Sequence, residues 1–186
     1  MTATTANLIV HLNGWPGTGK LTIARLLARR LGGRLMDNHT LLNPAETLFE
    51  RADPNWARLR REVRVLVVAA MEKVERNVPL VLTDALAEDD WDRALFDDYR
   101  PLAAARGARL VACVLDCELE ENVRRLQSQG RAEALKMTKA EILRDIRGRY
   151  RLLRPAGVEL YDLDVTALDP AAACSLIEAK LGQGRR

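Results

Sequence analysis

Histidine and cysteine are scarce in this chain: there are two histidines, His11 and His39, and three cysteines, Cys113, Cys117 and Cys174. An odd set of thiols without ligand-spaced partners argues against a Cys/His metal site and leaves reduced thiols that pack in the interior. Long apolar runs are missing as well, so nothing is expected to span a membrane. The opening residues, Met1 to Asn7, have neither a basic stretch nor an apolar one, so no signal peptide is expected and the cytoplasm is the expected location. Neither sign of charge dominates. A net charge of +3 is too small to argue for a nucleic-acid partner by itself, although the arginines are clustered. Repeats and low-complexity linkers are absent too. What remains, 186 residues at 48% hydrophobic and 30% charged, suits one α/β domain over residues 1–186 with a sizeable core.

That domain is organised around Gly14-Trp15-Pro16-Gly17-Thr18-Gly19-Lys20-Leu21-Thr22. An apolar run, Leu8 to Leu12, precedes it, and Ile23, Ala24, Leu27, Ala28 and Leu31 follow at helical spacing. Strand, glycine loop and helix form the setting of a phosphate-binding loop. The glycines let successive N–H groups turn toward an anion. The helix N-terminus adds its dipole, and Lys20 can reach the outer phosphates. Leu21 stands where that pattern has the Ser or Thr that binds Mg²⁺, with Thr22 one place later. A plainer reading, a glycine turn with a surface lysine, fits this context less well.

Later segments point back to the same end of a sheet. Arg34 to Met36 reads as a short strand that runs into Asp37-Asn38-His39, at the carboxyl edge where open α/β sheets hold ligands. The same residue types also suit a turn in which Asp37 and Asn38 bond their own backbone. From Thr40 to Asn55 the pattern is weak, broken by Pro44 and Pro54, with a short helix expected at 45–51. Asp53-Pro54 then caps an amphipathic helix running to about Arg76, whose start is crowded with Arg58, Arg60, Arg61 and Arg64. A solvated basic face explains these arginines, and so does a helix that offers Arg58 or Arg61 to an anionic acceptor. Pro79 to Asp84 is an apolar strand closed by an acid that can orient Mg²⁺ or cap the next helix.

A helix from about Asp89 carries Trp91, Leu95, Phe96 and Tyr99 and is expected to kink or end at Pro101. A fourth strand at 109–115 and a helix over 118–127 follow. The polar, glycine-containing stretch Ser128 to Glu133, flanked by Arg124, Arg125, Lys136 and Lys139, reads as a basic lid over about 128–138 or as a basic turn. Arg131 on such a loop would meet the negative charge of a phosphoryl transition state, and Arg124 or Arg125 could stack on a nucleobase. A helix from Thr138 to about Leu153, a fifth strand at 158–163 and a last helix capped by Asp169-Pro170 complete the chain. Five strands alternating with helices predict a parallel sheet covered on both faces.

With these pieces placed, the chain resembles the small P-loop kinases of the nucleoside-monophosphate-kinase fold, nearest to the shikimate kinase, gluconate kinase and chloramphenicol phosphotransferase group. The resemblance rests on Gly14 to Thr22, Asp37, Asp84, Arg125 and Arg131. It implies a three-layer P-loop NTPase fold, strand order 2-3-1-4-5, with a small lid. It also implies ATP and Mg²⁺, with Gly14, Pro16, Gly17, Thr18, Gly19, Lys20, Leu21, Thr22, Arg125 and Arg131 around the nucleotide. Lys20, Asp37 and Arg131 would carry catalysis and Asp84 with Asp37 the metal. Asp37, Asn38, His39, Arg58, Arg61 and Asp84 would line the acceptor site. His39 is a substitute base, with an ordinary pKa of about 6.5. His11, inside the first strand, is expected to be a satisfied core residue. The activity expected is transfer of a γ-phosphoryl group to a hydroxyl on a small molecule. Two alternatives are a kinase of nucleotides or nucleic-acid 5′ ends, and an ATP-binding regulator that transfers nothing.

Overall fold

The computed structural model describes residues 7–127 and 139–183. Arg131 and the lid expected at 128–138 therefore lie outside the described residues. Five parallel strands, β1 (Leu8–Gly14), β2 (Arg34–Asp37), β3 (Leu80–Asp84), β4 (Arg109–Asp116) and β5 (Glu159–Asp164), form one sheet. Their order is β2-β3-β1-β4-β5, as expected from the resemblance. Helices cover both sides, so the central strands are apolar on both faces and read as continuous hydrophobic runs.

The pleat of β1 divides the core in two. Leu8, Val10 and Leu12 pack with Ile23 and Leu27 of α1 (Lys20–Leu31) and with Ile177 and Leu181 of α8 (Pro170–Gln183). Ile9 faces the other way, toward Met71 of α3 (Pro54–Met71), Leu95 and Phe96 of α4 (Asp90–Asp97), and Tyr99 and Leu102 of α5 (Tyr99–Arg106). Trp15 joins a third cluster with Val123 and Leu126 of α6 (Leu119–Leu126) and Leu143 of α7 (Ala140–Arg149). Cys113, Cys117 and Cys174 are buried free thiols, all in the first cluster.

Several helices depart from the sequence pattern, each for a physical reason. Where a weakly patterned stretch with a short helix at 45–51 is expected, α2 runs Asn38–Leu48 and contains Pro44. Pro44 offers no N–H to the carbonyl four residues back. Burial of Leu41, Leu42 and Ala45, together with the Asp37 cap, outweighs that loss. Pro101 does not end its helix: the break falls three residues earlier, at Asp98, and Pro101 lies in the first turn of α5, where N–H groups have no partner in the helix to lose. α3 stops at Met71 and α7 at Arg149. Beyond α7, Leu153 N donates instead to Leu86 O at 3.0 Å, which draws that segment to the carboxyl edge of β3.

Candidate phosphate-binding and acceptor site

The loop from Gly14 to Gly19 joins a central strand to the N-terminus of α1, which begins at Lys20. Gly17 and Gly19 have φ of 96° and 89°, a region open to glycine and strained for other residues. The loop closes on the Trp15 carbonyl, which accepts from Thr18 N at 3.3 Å, Thr18 Oγ1 at 3.0 Å and Lys20 Nζ at 3.2 Å. The ammonium thus lies over the loop's own concavity. Leu21 is half-buried and Thr22 exposed.

A residue the sequence reading passed over anchors the base of this loop. Asn13 is buried, its Oδ1 accepts from Gly14 N at 3.0 Å and Leu86 N at 2.8 Å, and its Nδ2 donates to the carbonyls of Leu86 at 2.9 Å and Leu153 at 3.2 Å. Its signal in the sequence was a polar residue at the end of an apolar strand. Register places Asn13 beside Asp84 and Asp37 beside Thr83, so both acids emerge at the same edge as the glycine loop.

Asp84 is 1% exposed. Its Oδ2 accepts from Tyr99 Oη at 2.7 Å and lies 3.0 Å from His11 Nε2, while Arg64 Nη1 stands 3.9 Å from Oδ1. Burial alone would raise this carboxyl, yet the His11 hydrogen bond, backed by Arg64 and Tyr99, holds it below its ordinary value. The Tyr99 hydroxyl moves the opposite way, well above its usual range, through burial and the Asp84 charge. His11 therefore departs from the expectation of a satisfied core residue. It is buried against Phe96 and Tyr99 as a core residue should be, but it belongs to this ionic cluster, and among the described residues Nδ1 has no hydrogen-bond partner. Asp84 Oδ1 has none either.

Asp37 takes the local arrangement as a helix cap: Oδ1 accepts from His39 N and Oδ2 from Thr40 Oγ1, both at 3.0 Å. Asn38 N donates to Thr83 Oγ1 at 3.4 Å, tying the start of α2 to β3. The triplet thus opens α2 at the carboxyl edge of the sheet.

The arginines of α3 divide between two faces of the helix. Arg58 points outward, 72% exposed and 3.8 Å from Glu62, and Arg61 pairs with Asp98 at 3.0 Å on an open surface. Helical phase turns Arg60 and Arg64, one turn apart, toward the sheet instead. Arg64 is buried, bonding Asp98 at 3.0 Å and the Leu95 carbonyl, with its guanidinium 4.8 Å from the Tyr99 ring centre. Arg60 lies 5.4 Å from the Trp56 ring centre, and burial lowers its pKa while the Asp84 and Asp92 charges oppose that shift. A crowd of arginines conceals which two face in, because spacing defines a face without naming the side that packs.

Arg125 also lies elsewhere than on an exposed base-stacking surface. Its guanidinium donates to Glu121 Oε1 at 2.6 Å and to the carbonyls of Thr18 at 3.3 Å, Val165 at 2.9 Å and Thr166 at 2.8 Å. Arg124, on the open side, pairs with Glu121 at 2.6 Å.

A parallel sheet in this order, with a glycine loop leading into a lysine at the start of a helix, defines a P-loop phosphotransferase fold. Comparison with known proteins agrees. The AAA domain family model matches residues 10–144. A shikimate kinase of Moorella thermoacetica (strain ATCC 39073 / JCM 9320) is 30% identical over 129 residues, 57% of this chain and 75% of that protein. Two solved structures share the fold at low identity. A shikimate kinase of Acinetobacter baumannii in complex with shikimate has a TM-score of 0.62 at 19% identity, covering 97% of this chain and 96% of that one. A sugar kinase of Janibacter sp. HTCC2649 has a TM-score of 0.65 at 17% identity, covering 95% of each chain. The chain belongs to the AAA domain family by its model match, and its relatives place it among the small P-loop kinases. Among the described residues, no helix is long and apolar enough to cross a membrane.

Proposed function

We propose that this protein transfers the γ-phosphoryl group of ATP to a hydroxyl group of a small molecule. The observation that carries the reading is the loop itself, with two positive-φ glycines leading into a helix whose first residue is Lys20. Such a loop offers backbone N–H groups and a helix dipole to the polyphosphate, and Lys20 leaves the Trp15 carbonyl to meet the outer phosphates.

Asp37, at the end of β2, takes the proton of the acceptor hydroxyl as its oxygen attacks the γ-phosphorus and the bond to the bridging oxygen breaks, releasing ADP. His39 stands two residues away as the substitute base. Among the described residues no group of three His, Cys, Asp or Glu side chains forms a metal cage. Mg²⁺ keeps much of its water and leans on substrate phosphates, so Asp84 and Asp37 would hold it from the strand ends through that water. The buried Oδ1 of Asp84, 3.9 Å from Arg64 and without a hydrogen-bond donor among the described residues, fits a role in accepting from such water. When bound, Mg²⁺ neutralises charge on the phosphates.

In this reading the acceptor would sit between α2, α3 and the ends of β2 and β3, with the half-buried Arg60 beside Trp56 as the group to meet an anion. The α3 arginines that a nucleic-acid acceptor would use for its phosphates are largely paired, Arg58 with Glu62 and both Arg61 and Arg64 with Asp98. The test is ATP consumption with and without sugars, shikimate-like acids, antibiotics and nucleosides. Stimulation by one hydroxyl compound supports transfer; ATP binding without turnover on any of them points to a regulator.

A further inference from the structure

A cradle made of backbone N–H groups works only when its peptide planes are turned correctly. In a trans peptide the carbonyl of one residue and the N–H of the next lie on opposite sides of a shared plane, so whatever holds the carbonyl aims the N–H. All peptide bonds among the described residues are trans. Two carbonyls of the glycine loop are held from α6. Asn122 Nδ2 donates to Pro16 O at 2.8 Å, and Arg125 Nη1 donates to Thr18 O at 3.3 Å. The N–H groups paired with those carbonyls belong to Gly17 and Gly19, the two glycines of positive φ.

The holding groups are themselves held. Asn122 is wholly buried, and its Oδ1 accepts from Arg147 Nη1 at 2.7 Å. A guanidinium only donates, so Oδ1 must face Arg147 and the donor end of the amide must face Pro16. Arg147 is anchored on the Cys117 carbonyl at 2.9 Å and on Asp116 at 3.1 Å. Arg125 is fixed by Glu121, Val165 and Thr166. The fit is close: a Cβ on Gly17 would lie 2.6 Å from Asn122 Nδ2. Asn122 and Arg125 sit three residues apart and so share one face of α6.

We infer that Asn122 and Arg125 are positioning residues of the phosphate cradle, acting through the Pro16 and Thr18 carbonyls to aim the Gly17 and Gly19 N–H groups at bound phosphate. The inference rests on the proposed nucleotide-binding reading, and it gives Arg125 a backbone target in place of a nucleobase.

Calorimetric titration of the full chain with Mg-ADP and with inorganic tripolyphosphate, which has no base, tests it. Asn122→Asp keeps the side-chain shape but replaces the donor with an acceptor. It is expected to weaken both probes at least about tenfold, the worth of one good hydrogen bond or more. Arg125→Met should weaken both by similar factors, and Arg125→Lys should restore part of the loss. A loss confined to ADP would assign Arg125 to the base and overturn its part. If circular dichroism shows Asn122→Asp unfolded, Arg147→Met, which reaches the loop through the Asn122 amide, is read instead, with a loss of about threefold expected for both probes. Wild-type protein that binds while these variants bind equally well overturns the inference alone. Wild-type protein that binds neither probe overturns the nucleotide reading and the inference together.

Discussion

The two halves of the site are built from different materials. On the cradle side, the working groups are main-chain N–H groups, a helix terminus and Lys20, and side chains such as Asn13 and Asn122 serve to hold backbone. On the proposed acceptor side, beneath α2 and α3, the candidate groups are side chains: a buried carboxylate surrounded by His11, Tyr99 and Arg64, with Arg60 nearer the surface. A backbone site tolerates little change in conformation but much in side-chain identity. The ionic site is the reverse. It needs particular residues on four separate elements, β1, β3, α3 and α5, because burying a charge is costly unless partners arrive with it.

The largest effect is expected at the single side chain that works on the cradle side. Lys20→Ala should lower kcat/KM about a thousandfold, as loss of a charge-stabilising donor does, while circular dichroism stays unchanged. Next comes Asp37, where capping and catalysis can be separated. Asparagine caps a helix as well as aspartate, so Asp37→Asn should leave the urea midpoint nearly unchanged yet cut turnover about a hundredfold. Full turnover with the true acceptor would show Asp37 to be a cap alone.

On the acceptor side, Asp84→Asn removes the buried carboxylate that His11 and Tyr99 bond and leaves Arg64 with Asp98 as its remaining counter-charge, and should reduce stability by about 3 kcal/mol in urea titration. The sign of its pH dependence follows from the depressed carboxyl. Asp84 contributes stability above its unfolded pKa of about 4, and that contribution is lost as pH falls below this value through the folded pKa. The wild-type midpoint should therefore fall on acidification below pH 4 more steeply than that of Asp84→Asn, and parallel curves would remove Asp84 from the stability argument. The mildest contrast lies along α3. Arg60→Ala should raise the acceptor KM about tenfold, whereas Arg58→Ala, on the exposed face, should change neither KM nor stability measurably. Equal effects of the two substitutions would undo the assignment of faces.

The unequal legibility of these halves has the same origin. Gly14, Gly17, Gly19 and Lys20 could be placed before any fold was known, since a strand, a tight turn and a helix are local and adjacent in the chain. Strand ends at Asp37 and Asp84 were also legible, because apolar runs stop there. His11 was assigned to the core, and its link to Asp84 was hidden because the two are 73 positions apart and meet only when β1 pairs with β3. Arg58 and Arg61 were preferred over Arg60 and Arg64 because nothing local says which side of a helix meets the sheet. The helix through Pro44 was discounted for the same reason: the apolar contacts that sustain it are nonlocal.

By itself, the order of residues determined the alternation of strands and helices, the phosphate-type loop and the edge at which the acids emerge, all consequences of short-range geometry and hydrophobic period. Only the tertiary structure decided which arginines turn inward, which partners hold Asp84 and what Asn122 and Arg125 grip. Those choices depend on charges and carbonyls brought together from distant parts of the chain, where burial makes each unmatched group costly.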